Sequence, residues 1–142
     1  QYLNWQRLFP GEIDMICGDM PVLERRDDSS VWVHPTSWNG KEHLGSKSSA
    51  PLAGIALLSQ EDQNKLVPLS PSEAIFPFFQ QFMVRPETED QIRALVRLMD
   101  QLLRNVPVWK LLNRGDDLST EMLRAAFFQH AQELTGGNSG TL

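Results

Sequence analysis

The 142-residue sequence has a single cysteine, Cys17. One thiol excludes an internal disulfide framework and a cysteine-rich zinc cluster. A basic surplus is also missing: 13 Lys and Arg stand against 18 Asp and Glu, for a net charge of -5. A general nucleic-acid binder carries the opposite balance, so nucleic acid is not an expected partner. Long apolar runs are absent too. The clearest one, Ala53 to Leu58, falls far below the ~18 residues a spanning helix needs. Gln1 to Pro10 mixes Trp, Arg and Asn, without the charged start and apolar stretch of a signal peptide. No membrane partner is expected, and the expected location is cytoplasmic.

Several motifs are missing as well. Gly40-Lys41 is followed by Glu42, and position 35 is Pro rather than Gly, so no Walker A loop can be assigned. Gly45-Ser46-Lys47-Ser48 lacks the first Gly at the right distance. There is no GxGxxG and no HExxH, and His34, His43 and His130 lack metal-ligand spacing. Cys17 lies in an apolar stretch read as a strand, where a cysteine is expected to be an inert core residue.

What is present is ordinary for a globular domain. Apolar residues make up 41% and charged residues 22%, which argues against disorder, collagen or a coiled-coil rod. The length suits one domain. The chain opens on Gln1 rather than Met, so a processed chain or a piece of something longer is expected.

The first part, 1–69, reads as strands and loops. Short strands are expected at Glu12 to Cys17, Pro21 to Glu24 and Val31 to His34, with a charged turn from Arg25 to Ser30. Pro35 to Pro51 reads as a loop of about 15 residues, a length usually tied to binding or disorder. Ala53 to Leu58 reads as a strand buried on both faces, with Lys65 to Leu69 as its partner.

The second part, 70–135, is mainly helical. Ser70-Pro71-Ser72-Glu73 and Thr88-Glu89-Asp90-Gln91 both read as capping boxes. Pro77 is expected to kink the first of these helices. The second carries Ile92, Leu95, Val96, Met99, Leu102 and Leu103 on one stripe, which reads as core rather than a partner groove. Val106 to Leu111 reads as a strand with Pro107 at its edge or start. Asp116, Asp117 and Ser119 open a last helix that ends near Gly136-Gly137, and 136–142 is expected to fray. The expected class is α/β: a small mixed sheet with Ala53 to Leu58 at its centre, covered by the C-terminal helices.

Two places carry candidate chemistry. Asp19 follows an apolar segment and Gly18. A carboxylate at the exit of a buried strand can partner magnesium in a nucleotide-binding sheet. A turn aspartate before Pro21 is the plainer reading of the residues alone. The loop Thr36-Ser37-Trp38-Asn39-Gly40-Lys41 gathers two hydroxyls, an amide, a Gly and a Lys beside a Trp. Those donors can hold an anion; a surface loop anchored by one Trp is the plainer alternative.

Three segments, taken in order, resemble the C-terminal half of the HPr kinase and phosphoenolpyruvate carboxykinase-like P-loop kinases. Glu12-Ile13-Asp14-Met15-Ile16-Cys17-Gly18-Asp19 is similar to the family's strand ending in an acidic Walker-B-like position. Thr36-Ser37-Trp38-Asn39-Gly40-Lys41-Glu42, then Ser48-Ser49-Ala50-Pro51-Leu52, resembles its T-P-W-C-G-x-E loop and A-P-L strand entry. Pro68-Leu69-Ser70-Pro71-Ser72-Glu73-Ala74 and Val106-Pro107-Val108-Trp109 resemble P-L-S-P-A-E-A and V-P-V-Y. The likeness covers most of residues 11 to 112. It implies a back half of a P-loop kinase core in a single partial domain over 1–142. Gln1 to Arg7 would end the P-loop helix. ATP and Mg2+ would be the cofactors, Asp19 the acidic catalytic and metal residue near magnesium or the reacting hydroxyl, and Thr36 to Lys41 the loop near the transferred phosphate or the acceptor.

Ser37 stands where the family has Pro, Asn39 where Cys or Ser is usual, and Met20 where HPr kinases carry a second acid. Without a P-loop, these residues alone are expected to be inactive as an ATP-dependent phosphotransferase. The alternative is a kinase-derived module that binds a protein partner, or a second copy of itself, without catalysis.

Overall fold

The computed structural model describes residues 1–38, 40, 45–83 and 85–136. In chain order the elements are α1 (Tyr2–Leu8), β1 (Val22–Arg25), β2 (Val31–His34), β3 (Ala50–Pro51), β4 (Ile55–Gln60), β5 (Lys65–Leu69), α2 (Pro71–Phe79), α3 (Glu89–Asn105), β6 (Val108–Asn113) and α4 (Asp117–Gly136). The fold is mixed α/β, with two small sheets rather than the one expected. β1-β2-β3 form an antiparallel sheet, and β4-β6-β5 a mixed one.

Local rules place most of these elements. Ser70 and Thr88 both close capping boxes, each accepting from the backbone N–H three residues on. A side-chain cap of this kind is worth about 1 kcal/mol. Pro77 sits inside α2, which stops two residues later at Phe79. Asp116 accepts the Ser119 N–H at 3.4 Å at the mouth of α4. The turn at Arg26–Ser30 is closed by Asp28, which accepts from the Ser30 N–H at 2.9 Å and hydroxyl at 2.6 Å.

The core lies between the mixed sheet and the α2–α3 pair. Ala74 and Phe78 of α2 meet Leu95, Met99, Leu102 and Leu103 of α3, with Val106, Val108 and Val31. Ile55, Leu57 and Leu69 pack against this cluster, as the period-2 alternation of one sheet face requires. On the opposite face Trp109 meets Phe127 of α4 edge-on, with ring centroids 5.3 Å apart. The mixed sheet is thus sandwiched between helices. α4 also holds the N-terminal segment. Gln1 donates to Ser119 at 2.9 Å and accepts from Thr120 at 2.8 Å, Arg7 pairs with Asp117, and Arg124 grips Glu12 at 2.7 and 2.8 Å.

Three expectations are corrected. Glu12 to Cys17 is not a strand. A strand needs a neighbour to pair with, and among the described residues this segment finds one only at an isolated Cys17–Gly45 bridge, where Ser46 N–H reaches Ile16 O at 3.2 Å. Second, Ala53 to Leu58 does not give the central strand. β4 starts at Ile55, lies at the margin of its sheet, and leaves Leu58 58% exposed. Third, β5 is not its partner: β4 and β5 both pair with β6, in parallel and antiparallel register respectively. An apolar run signals burial, but one packed face and a margin position satisfy this run. The stripe on α3 is core at Leu95, Met99, Leu102 and Leu103, yet Ile92 and Val96 remain exposed. The expected frayed tail lies outside the described residues beyond Gly136.

Candidate functional site

The segment from Cys17 to Met20 and the loop from Thr36 to Gly40 are brought together by small, specific contacts. Thr36 donates its hydroxyl hydrogen to the Met20 carbonyl at 2.7 Å and accepts the Trp38 N–H at 3.2 Å. The Trp38 carbonyl accepts the Met20 N–H at 3.4 Å and the Cys17 thiol at 3.4 Å. Cys17 Sγ also lies 3.6 Å from Thr36 Oγ1. This lattice seats Asp19 against Gly40. A Cβ placed on Gly40 would lie 3.5 Å from Asp19 Cβ and 4.0 Å from its Cγ. Gly40 adopts φ +68°, in the left-handed region that glycine enters without steric penalty.

The predicted site residues therefore divide. Asp19, Thr36, Trp38 and Gly40 are assembled in one place. Ser37 sits in the loop and is exposed. Asn39 and Lys41 lie outside the described residues. Thr36 acts as a brace, because its only hydrogen is held by Met20. Trp38 is 63% exposed, so its ring is open to solvent rather than a core anchor.

Cys17 is not the strand residue expected. It is half-buried and outside any strand. Burial pushes its thiol up. Hydrogen bonds from the Asp19 backbone, the Thr36 side chain and backbone, and the Met20 backbone pull it down, and together they win, so the thiol titrates below its ordinary range.

Among the described residues no three His, Cys, Asp or Glu side chains converge as a metal site. Asp19 is the one acidic residue in the segments 17–20 and 36–38. That donor set does not suit a metal caged by protein alone. It does suit Mg2+ delivered on nucleotide phosphates, which typically needs only one or two protein carboxylates. Asp19 is the residue that would hold it.

A second cluster was not anticipated from the sequence. His34 Nε2 lies 2.8 Å from Glu24 Oε2, and His34 Nδ1 lies 2.8 Å from Ser49 Oγ. Glu24 is further held by Arg26 at 3.4 Å, and the Arg26 guanidinium rests 3.8 Å from the centre of the Trp32 ring. The His34 contact and then the Arg26 contact keep the Glu24 carboxyl below the usual carboxylate range. No sequence spacing signals this grouping, because it depends on strand register.

Compared with protein-family models, with curated proteins and with solved structures, the chain matches none.

Proposed function

We propose that this chain carries the acidic and acceptor-side part of an ATP-dependent phosphotransferase core. The observation that supports it most is the seating of Asp19 against Gly40 and beside the open Trp38 loop. A carboxylate, a glycine-turned loop and an exposed aromatic are the elements that the kinase resemblance calls for. On this reading Asp19 orients the attacking hydroxyl or Mg2+, and the loop borders the transferred phosphate. Thr36 and Cys17 hold that geometry rather than touch substrate. A cytoplasmic location, where Mg-ATP is abundant, goes with this role.

Phosphoryl transfer relies on a phosphate-gripping loop and its lysine for most of its charge stabilisation. The 142 residues contain no such motif. The chain by itself is therefore expected to bind Mg-ATP too weakly for calorimetry at micromolar concentrations. Micromolar binding lost in Asp19→Asn would refute that expectation. The reading itself stands or falls on the coding sequence upstream of Gln1. A Gly-x-x-x-x-Gly-Lys-Ser/Thr motif within about ten residues supports it, and its absence sinks it.

A partner-binding module is the second reading, favoured by surface chemistry. Phe76 and Met83 are 67% and 75% exposed, and Ile92 and Val96 are about half exposed on the neighbouring helix. The outer edge of β4 pairs with no strand among the described residues. Exposed apolar side chains and an unpaired strand edge both invite association. Light scattering decides: a mass that rises with concentration supports self-association, and a constant monomer mass at high concentration removes that form of the reading.

A further inference from the structure

The grouping of Glu24, His34 and Ser49 follows from the register of the β1-β2-β3 sheet. Val22 opposes His34 and Glu24 opposes Trp32 across β1 and β2. Trp32 opposes Pro51 and Val33 opposes Ala50 across β2 and β3. One further step of that register sets Ser49 opposite His34. Successive residues alternate faces, so Glu24, Trp32, His34, Ser49 and Pro51 share one face. The other face carries Val31 and Leu23 into the core. β1, β2 and the residue just before β3 thus each present one polar side chain to the same solvent-facing patch.

For a neutral His34 the hydrogen-bond inventory then assigns the tautomer. An ionised carboxylate can only accept. With Glu24 on Nε2, that nitrogen must carry the hydrogen. Nδ1 is left with its lone pair and accepts from the Ser49 hydroxyl. Arg26 also contacts the carboxylate, and its guanidinium rests on the Trp32 ring. This is the order acid, imidazole, hydroxyl that activates a serine nucleophile, with the two ring nitrogens exchanged relative to the serine-protease arrangement.

We propose that Ser49 is a nucleophilic serine, with His34 as its general base and Glu24 as the positioning residue, reactive toward small activated carboxylic esters. As Ser49 Oγ bonds to the ester carbonyl carbon, its proton passes to His34 Nδ1. The imidazolium, held through Nε2–H by Glu24, returns that proton to the leaving oxygen as the ester C–O bond breaks. Water then attacks the acyl-serine by the same proton route and releases the acid. The sum is ester plus water giving acid plus alcohol. The proposal does not rest on the phosphotransferase reading, since it uses none of the Asp19 site. His34 and Glu24 are only partly buried, so the class of substrate is activated esters that react at an open surface.

The test is covalent labelling of the whole chain with a fluorophosphonate, which forms a Ser–O–P bond and releases fluoride. Peptide mass mapping is expected to find one adduct, on Ser49, absent in Ser49→Ala. Removal of the general base in His34→Gln is expected to slow labelling by roughly 100-fold. In Glu24→Gln the amide can donate to Nε2, which drives the hydrogen to Nδ1 and takes away the acceptor. Labelling then falls, and 15N spectra of His34 are expected to switch from the Nε2–H to the Nδ1–H tautomer. A structural clamp would not produce that paired change. No adduct, equal labelling of Ser46 or Ser48, or an unchanged rate in His34→Gln overturns the proposal. Should His34→Gln lose its circular-dichroism signature of folding, the Glu24→Gln rate and spectrum decide in its place.

Discussion

Leu111→Ala is expected to lower the unfolding free energy by about 3–4 kcal/mol, read from urea titration. Leu111 has 0% exposure and sits in the central strand. Leu58 of β4 opposes it on one side and Leu66 of β5 on the other. By alternation from Trp109 it lies on the sheet face covered by α4. Shortening it opens a void that three strands and a helix would have to collapse together to fill. Small domains hold only about 5–15 kcal/mol in total, so this one change removes a large share. Leu58→Ala is the control. Leu58 belongs to the more apolar-looking strand but is 58% exposed, and its loss is expected to be under about 1 kcal/mol. Equal losses for the two variants would mean that β6 is not the strand on which the sheet depends.

Gly54→Ala is expected to cost about 1–3 kcal/mol, although alanine is the smallest possible addition. A Cβ at Gly54 would stand 2.7 Å from Trp109 Cζ3 and 3.0 Å from Phe127 Cε1. Those are ring atoms, not the free end of a flexible chain. Trp109 is itself set edge-on against both Phe127 and His130, at 5.3 and 6.0 Å between ring centroids. Moving it disturbs the whole α4 seam. The backbone at Gly54 does not lie in the left-handed region, so space alone demands glycine here. Thermal unfolding is expected to shift downward by about 2–4 °C for each kcal/mol. Trp109→Phe makes room, so Gly54→Ala/Trp109→Phe is expected to be more stable than the sum of the single losses predicts. Simple additivity would contradict this account.

Elements governed by neighbours in sequence were legible. The two capping boxes, the Arg25 to Ser30 turn and the strands at Val31 and Lys65 follow from residues within four positions of one another. Elements governed by distant partners were not. Glu12 to Cys17 is rich in Ile and Met like a strand, yet pairing is a property of two segments, and among the described residues only Cys17 found a partner. Val108 to Asn113 looks less apolar than Ala53 to Leu58 because of Lys110, but it collects both neighbours. The same limit applies to the sites. Asp19 and the Thr36 to Gly40 loop were linked through resemblance rather than spacing. Glu24, His34 and Ser49 become one group only after register fixes which side chains share a face.

The central position of β6 also sets a timetable. β4 and β5 leave the ribosome early, yet in the finished sheet each pairs with β6, a strand made after two helices. At roughly 5–20 residues per second, several seconds pass in between. During that time the apolar segment from Ile55 to Leu58 has no sheet to join. Closing loops of this length before any long-range contact forms is entropically unfavourable. Newly made chains are therefore most vulnerable to association just before Val108 emerges. Shielding of that segment by a chaperone matters most in that interval.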